Sequence, residues 1–483
     1  MSPPHTQALR GANFAKPAVP AKPARSAVPA RPAFYLTVAF VFVVYARFPE
    51  IMDMVTGSPV HSVRVIVGLA LLALLFGGDL RAVFSKVGIC LMAFTLWMCL
   101  CVPFSIWRGG SFRMLRDSWV IAFFSFAIIA SAVQGLEQCR KIMYALAAAT
   151  VFIEFVTLVT GRVQQGRMAL LEGTLGNANY LALMLLMGAP FCLFVMRTKP
   201  GLSALKFACL LMLLCIPVTI AATGSRGGLV TLAVMFLMYF VPLPLSQKVV
   251  VGIAALILSV IAITWSTQSA LDRFRVILST SGSVQLTASE QSAIESSELR
   301  KQLLLSSLHL TVQHPLLGVG PGMFAIANAD YVEATTGKPT WTAWRETHNT
   351  FTQVSCEDGL PGLMLYCLAL FFCFKIARSA EKRARQYPAV SSLGHMAFAL
   401  RLSLVAFTGT ALFASNAYMY YFPMLAGLCV AVDRAITAEG AAQATAGSAQ
   451  PDAKPHAAGT LQQSRPGAPA ANRVTAWERP PYS

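Results

Sequence analysis

Long apolar runs separated by short polar gaps set the pattern of this chain. The runs approach the roughly 17–25 residues that cross a bilayer as a helix. They fall at Phe34–Ala46, Val63–Gly77, Val87–Phe104, Ser118–Gln134, Met143–Thr160, Ala178–Met196 and Lys206–Ala222, then at Gly227–Pro242, Val249–Ser266, Leu360–Ile376, His395–Ala414 and Tyr420–Val432. The pattern predicts an all-α polytopic membrane protein of about twelve transmembrane helices, the first short for a hydrocarbon layer of about 30 Å. A transmembrane β-barrel needs alternating segments of about ten residues, and none is visible.

One polar stretch breaks the rhythm. Between Trp265 and Glu346 runs a loop of about eighty residues, far beyond the usual connection length and therefore expected to carry function. Within it, "SSELRKQLLLSSLHLTVQHP" spaces its apolar residues as a helix does, with Glu298 and Arg300 in its first turns, and is predicted to lie along the membrane surface. "HPLLGVGPGMF" follows as a Gly/Pro-rich turn.

Composition agrees. Of 483 residues, 56% are hydrophobic and 12% charged, against about 25% charged in soluble domains. A net charge of +17 invites a nucleic-acid reading. The placement of the charge excludes it, because Lys and Arg sit mostly in the short gaps, where they set topology. With the N-terminus in the cytosol, the cytosolic loops hold Arg81 and Lys86, Arg140 and Lys141, Arg197 and Lys199, Lys248, and the run Arg378, Lys382, Arg383, Arg385. Both termini are then expected inside. Residues 1–32 lack the apolar core of a secretory signal and are expected to form a disordered basic tail, as are residues 435–483 a disordered cytoplasmic one. Most of the eleven cysteines lie inside apolar runs, as packing residues rather than a disulfide or zinc framework.

Arginines on the opposite side run against this bias. "SIWRGGSFRMLRDSW" carries Arg108, Arg113 and Arg116, "TGRVQQGRMALLEGTLGN" carries Arg162 and Arg167, and "ATGSRGG" sets Arg226 at a helix start. Snorkelling to lipid phosphates is the plain explanation for any one of them. So many on the disfavoured side point to a further use for some.

"GTLGNANYLA" opens one helix and "TGSRGG" another; "LRKQLLLSSLHLTVQHPLLGVGPGMF" and "THNTFTQVSCEDGLPGLMLY" follow. This order of motifs resembles the O-antigen ligase family, the ligase/polymerase (Wzy-C) superfamily of bacterial envelope glycosyltransferases. The likeness covers residues 173–366 by motif, within a membrane domain over 33–434 and with the large periplasmic loop at 267–347. It implies a fold related to the GT-C glycosyltransferases, in the bacterial inner membrane with a periplasmic active site. It also implies transfer of a glycan from undecaprenyl diphosphate to an acceptor such as lipid A–core or another glycan, without nucleotide, metal or cofactor. His348, Arg226 and Arg300 match the residues that carry function in the family. One departure is Ala178, where many relatives have proline between the two asparagines kept here as Asn177 and Asn179.

The chemistry suits those residue types. A departing diphosphate gathers negative charge, and guanidinium groups bind phosphate oxygens in pairs without losing their proton. Arg226 and Arg300 are the first candidates, then Arg345, Arg116 and Arg113. The glycines flanking Arg226 are expected to let a phosphate approach the backbone. The acceptor hydroxyl needs a general base, and a neutral histidine supplies one. His348 is that candidate, with Asn349 to orient it or hold a sugar hydroxyl. His309, His314 and His395 are read as structural, Trp341 and Trp344 as interfacial anchors. Glu154, an acid inside a span, has no evident partner in the sequence. Glu50 and Asp53 form no close acidic pair, and no metal site is expected.

Other readings keep the family and change the acceptor, to a polysaccharide polymerase or a protein O-oligosaccharyltransferase. A transporter is the reading outside it. That reading expects paired, broken helices in two related halves, which the sequence does not show.

Overall fold

In a computed structural model of the protein, the structure describes residues 31–57, 68, 71, 78–164, 167–170, 174–265, 288–338, 343–385 and 391–448. The chain divides into two compact units, residues 1–439 and 440–483; in the second, the described residues continue the last helix to Ser448.

The helices in chain order are α1 (Arg31–Tyr45), α2 (Phe48–Thr56), α3 (Lys86–Cys101), α4 (Arg108–Ala132), α5 (Leu136–Thr160), α6 (Ala178–Thr198), α7 (Ala204–Ala222), α8 (Arg226–Phe240) and α9 (Leu245–Trp265). Then come α10 (Ala288–Gln313), α11 (Phe324–Thr336), α12 (Thr350–Ala384), α13 (Ser391–Ala411) and α14 (Tyr421–Ser448). Among the described residues, nine are long and apolar enough to cross a membrane, and α1 and α8 are shorter apolar helices. Eleven of the twelve predicted spans therefore coincide with helices. The remaining one, Val63–Gly77, lies outside the described residues apart from Gly68 and Leu71.

Two boundaries move in a way that matters. The fourth span begins at Arg108 rather than Ser118, because a π-helical turn at Leu115–Trp119 carries the helix back through the arginine-rich segment. The tenth begins at Thr350 rather than Leu360 and is broken at Gly359, whose φ of 72° and ψ of 179° lie outside helical values. The loop around Arg162 and Arg167 contains an antiparallel pair of strands, β1 (Arg162–Gln164) and β2 (Arg167–Ala169).

Helix α6 is the axis of the bundle. In its best 18-residue window 89% of the residues are buried, against none for α9 at the periphery. It packs against α5, α7 and α13. Its backbone carbonyls accept hydrogen bonds from side chains on other helices: Tyr45 Oη to Met184 at 2.8 Å and Ser403 Oγ to Met187 at 2.8 Å. Buried hydroxyls elsewhere turn back onto their own helix, as Thr150 Oγ1 does to the carbonyl of Leu146 and Thr157 Oγ1 to that of Ile153. In a hydrocarbon medium such groups have no water to fall back on. Glu154 does have a partner after all, since Thr219 Oγ1 donates to its carboxylate at 2.6 Å.

The break in α12 is filled by the Gly/Pro-rich turn. Val319 N donates to the carbonyl of Cys356 at 2.8 Å, Gly320 N to that of Glu357 at 2.9 Å, and Leu360 N to that of Pro315 at 2.8 Å. The Glu357 carboxylate accepts from Gly322 N and Phe324 N, both at 3.0 Å. Ile106 N, in the α3–α4 connection, donates to the carbonyl of Val319 at 3.1 Å, and Ser111 Oγ, in the first turn of α4, to that of Pro321 at 2.9 Å. A small second core seals this clasp: Leu303 and Leu310 of α10 pack with Val319, Met323, Phe324, Ala327 and Cys356. Helix α10 thus has two apolar stripes. One is buried in protein, and the other, Leu305, Leu308 and Val312, is exposed.

Backbone meets backbone so closely here that only glycine fits. A Cβ on Gly318 would stand 2.3 Å from the Glu357 carbonyl, and φ is +65°. Gly337 has a similar φ of +70° but open space around it. Gly318→Ala is therefore expected to destabilise the protein by more than about 2 kcal/mol, and Gly337→Ala by about 1 kcal/mol. Thermal unfolding of the two variants in detergent checks the ranking; equal losses would refute the clasp.

Candidate functional site

His348 stands between the loop and the first turn of α12, and its backbone is in the left-handed region with φ 53°. That conformation costs a non-glycine residue about 1–2 kcal/mol and persists only where neighbours enforce it. The enforcement comes from Ser415, in the connection between α13 and α14. Its Oγ accepts from His348 N at 2.9 Å and shares a hydrogen bond with Thr347 Oγ1 at 3.0 Å. Thr347 Oγ1 also donates to the carbonyl of Asn349 at 2.9 Å. Thr350 Oγ1 donates to the carbonyl of Ala414 at 2.7 Å and accepts from Asn416 N at 3.0 Å. The histidine is thus stitched to the α13–α14 connection on one side while the clasp fixes α12 on the other.

Electrostatically the imidazole is surrounded by cations. Its pKa is pushed down to about 4, first by burial and then by the charges of Arg300, Arg345 and Arg167. At neutral pH the ring is uncharged. The structure therefore brings together three of the residues expected from sequence, His348, Arg300 and Arg345, and adds Arg167.

Arg167 is the junction to the rest of the site. At the start of β2, it donates from Nε to the Thr223 carbonyl at 3.0 Å and from Nη2 to Asn179 Oδ1 at 2.8 Å. Asn179 Oδ1 also accepts from Ser225 Oγ at 3.0 Å, and Ser225 caps α8 by accepting from Gly228 N at 3.2 Å. Arg226, the first residue of α8, is carried by this network at the same end of the bundle as His348. Tyr180 closes the circuit by donating to Glu346 Oε2 at 3.1 Å and to the Ser415 carbonyl at 3.0 Å.

Other expected residues are placed differently. Asn177 Oδ1 caps α6 through Asn179 N, and Asn349 Oδ1 caps α12 through Phe351 N and Thr352 N, so both side-chain oxygens serve backbone. Arg116 is paired with Asp117 at 2.9 Å, and the Arg113 guanidinium lies 5.9 Å from the Trp107 ring centre. These two belong to α4, because the helix starts early there. The space beside the glycines of "SRGG" is not open to a phosphate either. A Cβ on Gly227 would meet the Phe413 ring at 2.4 Å, so that glycine serves helix packing. Trp344 is exposed, as an interfacial anchor would be, and Trp341 lies outside the described residues.

Sequence reasoning passed over Ser415, Tyr180 and Arg47. For Ser415 a signal existed: "SN" interrupts two apolar runs at Ser415 and Asn416. Arg47, also left-handed at φ 52°, is bonded to Glu50 and to Tyr421 Oη at 2.9 Å, and Glu50 in turn accepts from Thr174 N at 3.0 Å. That chain of contacts fixes the segment leading into Asn177.

The folded His348 pKa lies below its ordinary value of 6.5, so the neutral ring's stabilising contribution is complete above about pH 6.5 and is lost as pH falls toward 4. The ring resonance of His348 in isotope-labelled protein, assigned against His348→Asn, should stay flat from about pH 8 to about pH 5. Arg345→Gln, by removing one cation, should move the midpoint upward. A wild-type midpoint at the ordinary value would contradict this geometry.

Residues 207–367 match the O-antigen ligase family, Wzy_C. The stretch includes Arg226, Arg300, Arg345, His348 and both halves of the clasp, while Arg167, Asn177, Asn179 and Ser415 lie outside it. No curated protein matches the sequence. The arginine-ringed histidine lies inside this matched stretch, which covers 161 of the 483 residues of a multi-pass membrane protein.

Proposed function

We propose that the protein transfers a glycan from undecaprenyl diphosphate to an acceptor hydroxyl, on lipid A–core or a related glycan, at the periplasmic face of the bacterial inner membrane. Both termini are then cytoplasmic. The observation that carries the reading is His348: an uncharged imidazole, held in a strained backbone conformation and facing several guanidinium groups. Strain retained at such a cost is a mark of functional sites.

In this reading the acceptor oxygen attacks C1 of the donor sugar while His348 takes the hydroxyl proton. The C1–O bond to the diphosphate breaks, and its electron pair leaves with the diphosphate. Arg300 and Arg345, with Arg226 at the mouth of α8, neutralise the growing charge as a preorganised clamp. Arg167, already bonded to Asn179 and Thr223, positions the clamp and adds field.

The same cations explain how a base with so low a proton affinity can act. An anionic donor offsets the positive field that holds the proton off the ring. Proton affinity then rises when the donor is in place, so the base is strengthened in the complex that needs it.

The test is reconstitution with undecaprenyl-diphosphate glycan and purified acceptors. His348→Asn is the variant of choice, since asparagine tolerates the left-handed backbone. Transfer should fall at least about 100-fold with donor binding kept. Arg226→Gln and Arg300→Gln should each lower transfer about 100-fold and weaken donor binding as well. Wild-type transfer by His348→Asn would sink the assignment of the base. Transfer to lipid A–core as against a second lipid-linked glycan separates ligase from polymerase.

A further inference from the structure

At the opposite ends of the same helices lies a cleft of about 570 Å³ between α6, α8, α12 and α13. Arg197, Arg378, Lys382, Arg385 and Arg401 line it against a single carboxylate, Glu381. Glu381 is paired with Arg401 at 3.3 Å, and Arg197 lies 5.0 Å from the Tyr239 ring centre. Arg378, Lys382 and Arg385 repeat at i, i+4 and i+7, so they share one face of α12, and all three are exposed. Like charges at this spacing repel. A basic gap between spans follows from topology alone, but five cations closed around one cavity do not.

The surroundings say what kind of anion fits. The cleft lies at the ends of α6, α8, α12 and α13, and the ends of helices that cross a bilayer meet its headgroups. Pro242, Leu243 and Phe398 give it an apolar wall. Leading to it along α8 is a stripe of outward-facing apolar residues, Val230, Val234, Leu237 and Val241, exposed by 57%, 43%, 56% and 64%. A free phosphate needs the basic bowl only; a phospholipid needs the bowl and the track.

We propose that this cleft binds an anionic phospholipid, with the headgroup phosphate among Arg378, Lys382 and Arg385 and an acyl chain along the apolar stripe of α8. Basic pockets between transmembrane helices hold anionic headgroups in this way. The site is separate from His348, and its occupancy does not depend on how the glycan reaction is assigned.

Native mass spectrometry of the full chain, released from detergent with phosphatidylglycerol or phosphatidylcholine of the same acyl chains, tests it. The wild type should retain phosphatidylglycerol at least about tenfold over phosphatidylcholine. Arg378→Gln/Lys382→Gln/Arg385→Gln should lose most of that preference. Each single substitution, at an exposed position, should reduce it by itself, which keeps the test open should the triple variant not fold. Val241→Gln should weaken retention without changing the response to inorganic phosphate. Undiminished preference in the single and triple variants overturns the proposal. Displacement of the lipid by millimolar inorganic phosphate also overturns it, in favour of a site for free phosphate.

Discussion

The structure depends on a backbone-to-backbone clasp. Helix α12 breaks at Gly359, and the segment 315–322 enters the break with its own amides and carbonyls. A broken helix in a membrane leaves polar backbone groups with no water to satisfy them, so something must fill the gap. Here the filler belongs to the same loop that carries the site. Filling the gap fixes the first turns of α12, and those turns fix His348. Glu357, bonded to the amides of Gly322 and Phe324, and Asp358, bonded to Tyr418 Oη at 2.7 Å, lock the two sides together.

Once the frame is fixed, the site collects unfavourable features. It has a left-handed histidine, buried polar groups and several like charges near one another. Each is costly alone, and they coexist because each is held by a separate part of the chain. Ser415 holds the histidine backbone, Asn179 and Thr223 hold Arg167, and α10 carries Arg300. Local rules broken together in one place are a mark of function built into a fold.

The spans were legible because hydrophobic length is a strong signal, and eleven of the twelve fall on helices. The break in α12 was half legible. "EDGLPG" announces a Gly/Pro interruption, but nothing in one sequence says which distant segment will fill it. Arg300, Arg345 and His348 stood among the sequence candidates, and the structure sets both arginine charges against the imidazole. Arg113 and Arg116 were candidates as residues of an outer loop, and the π-turn shows that they ride on α4. Arg162 and Arg167 are indistinguishable by type. Strand register and a hydrogen bond to Asn179 make the second a junction. Ser415 is an ordinary residue whose importance comes entirely from what it touches.

Three helices begin at this one place: α6 behind Asn177, α8 behind Ser225 and α12 behind Asn349. Each start carries the equivalent of roughly half a positive charge from its aligned peptide dipoles. Their first turns are tied together through Asn179, Ser225, Tyr180 and Ser415, so the three partial charges add over a short range. This part of the potential resides in the main chain and survives any side-chain replacement. Stripping the guanidinium groups one by one would therefore leave a residual attraction for anions at these helix starts.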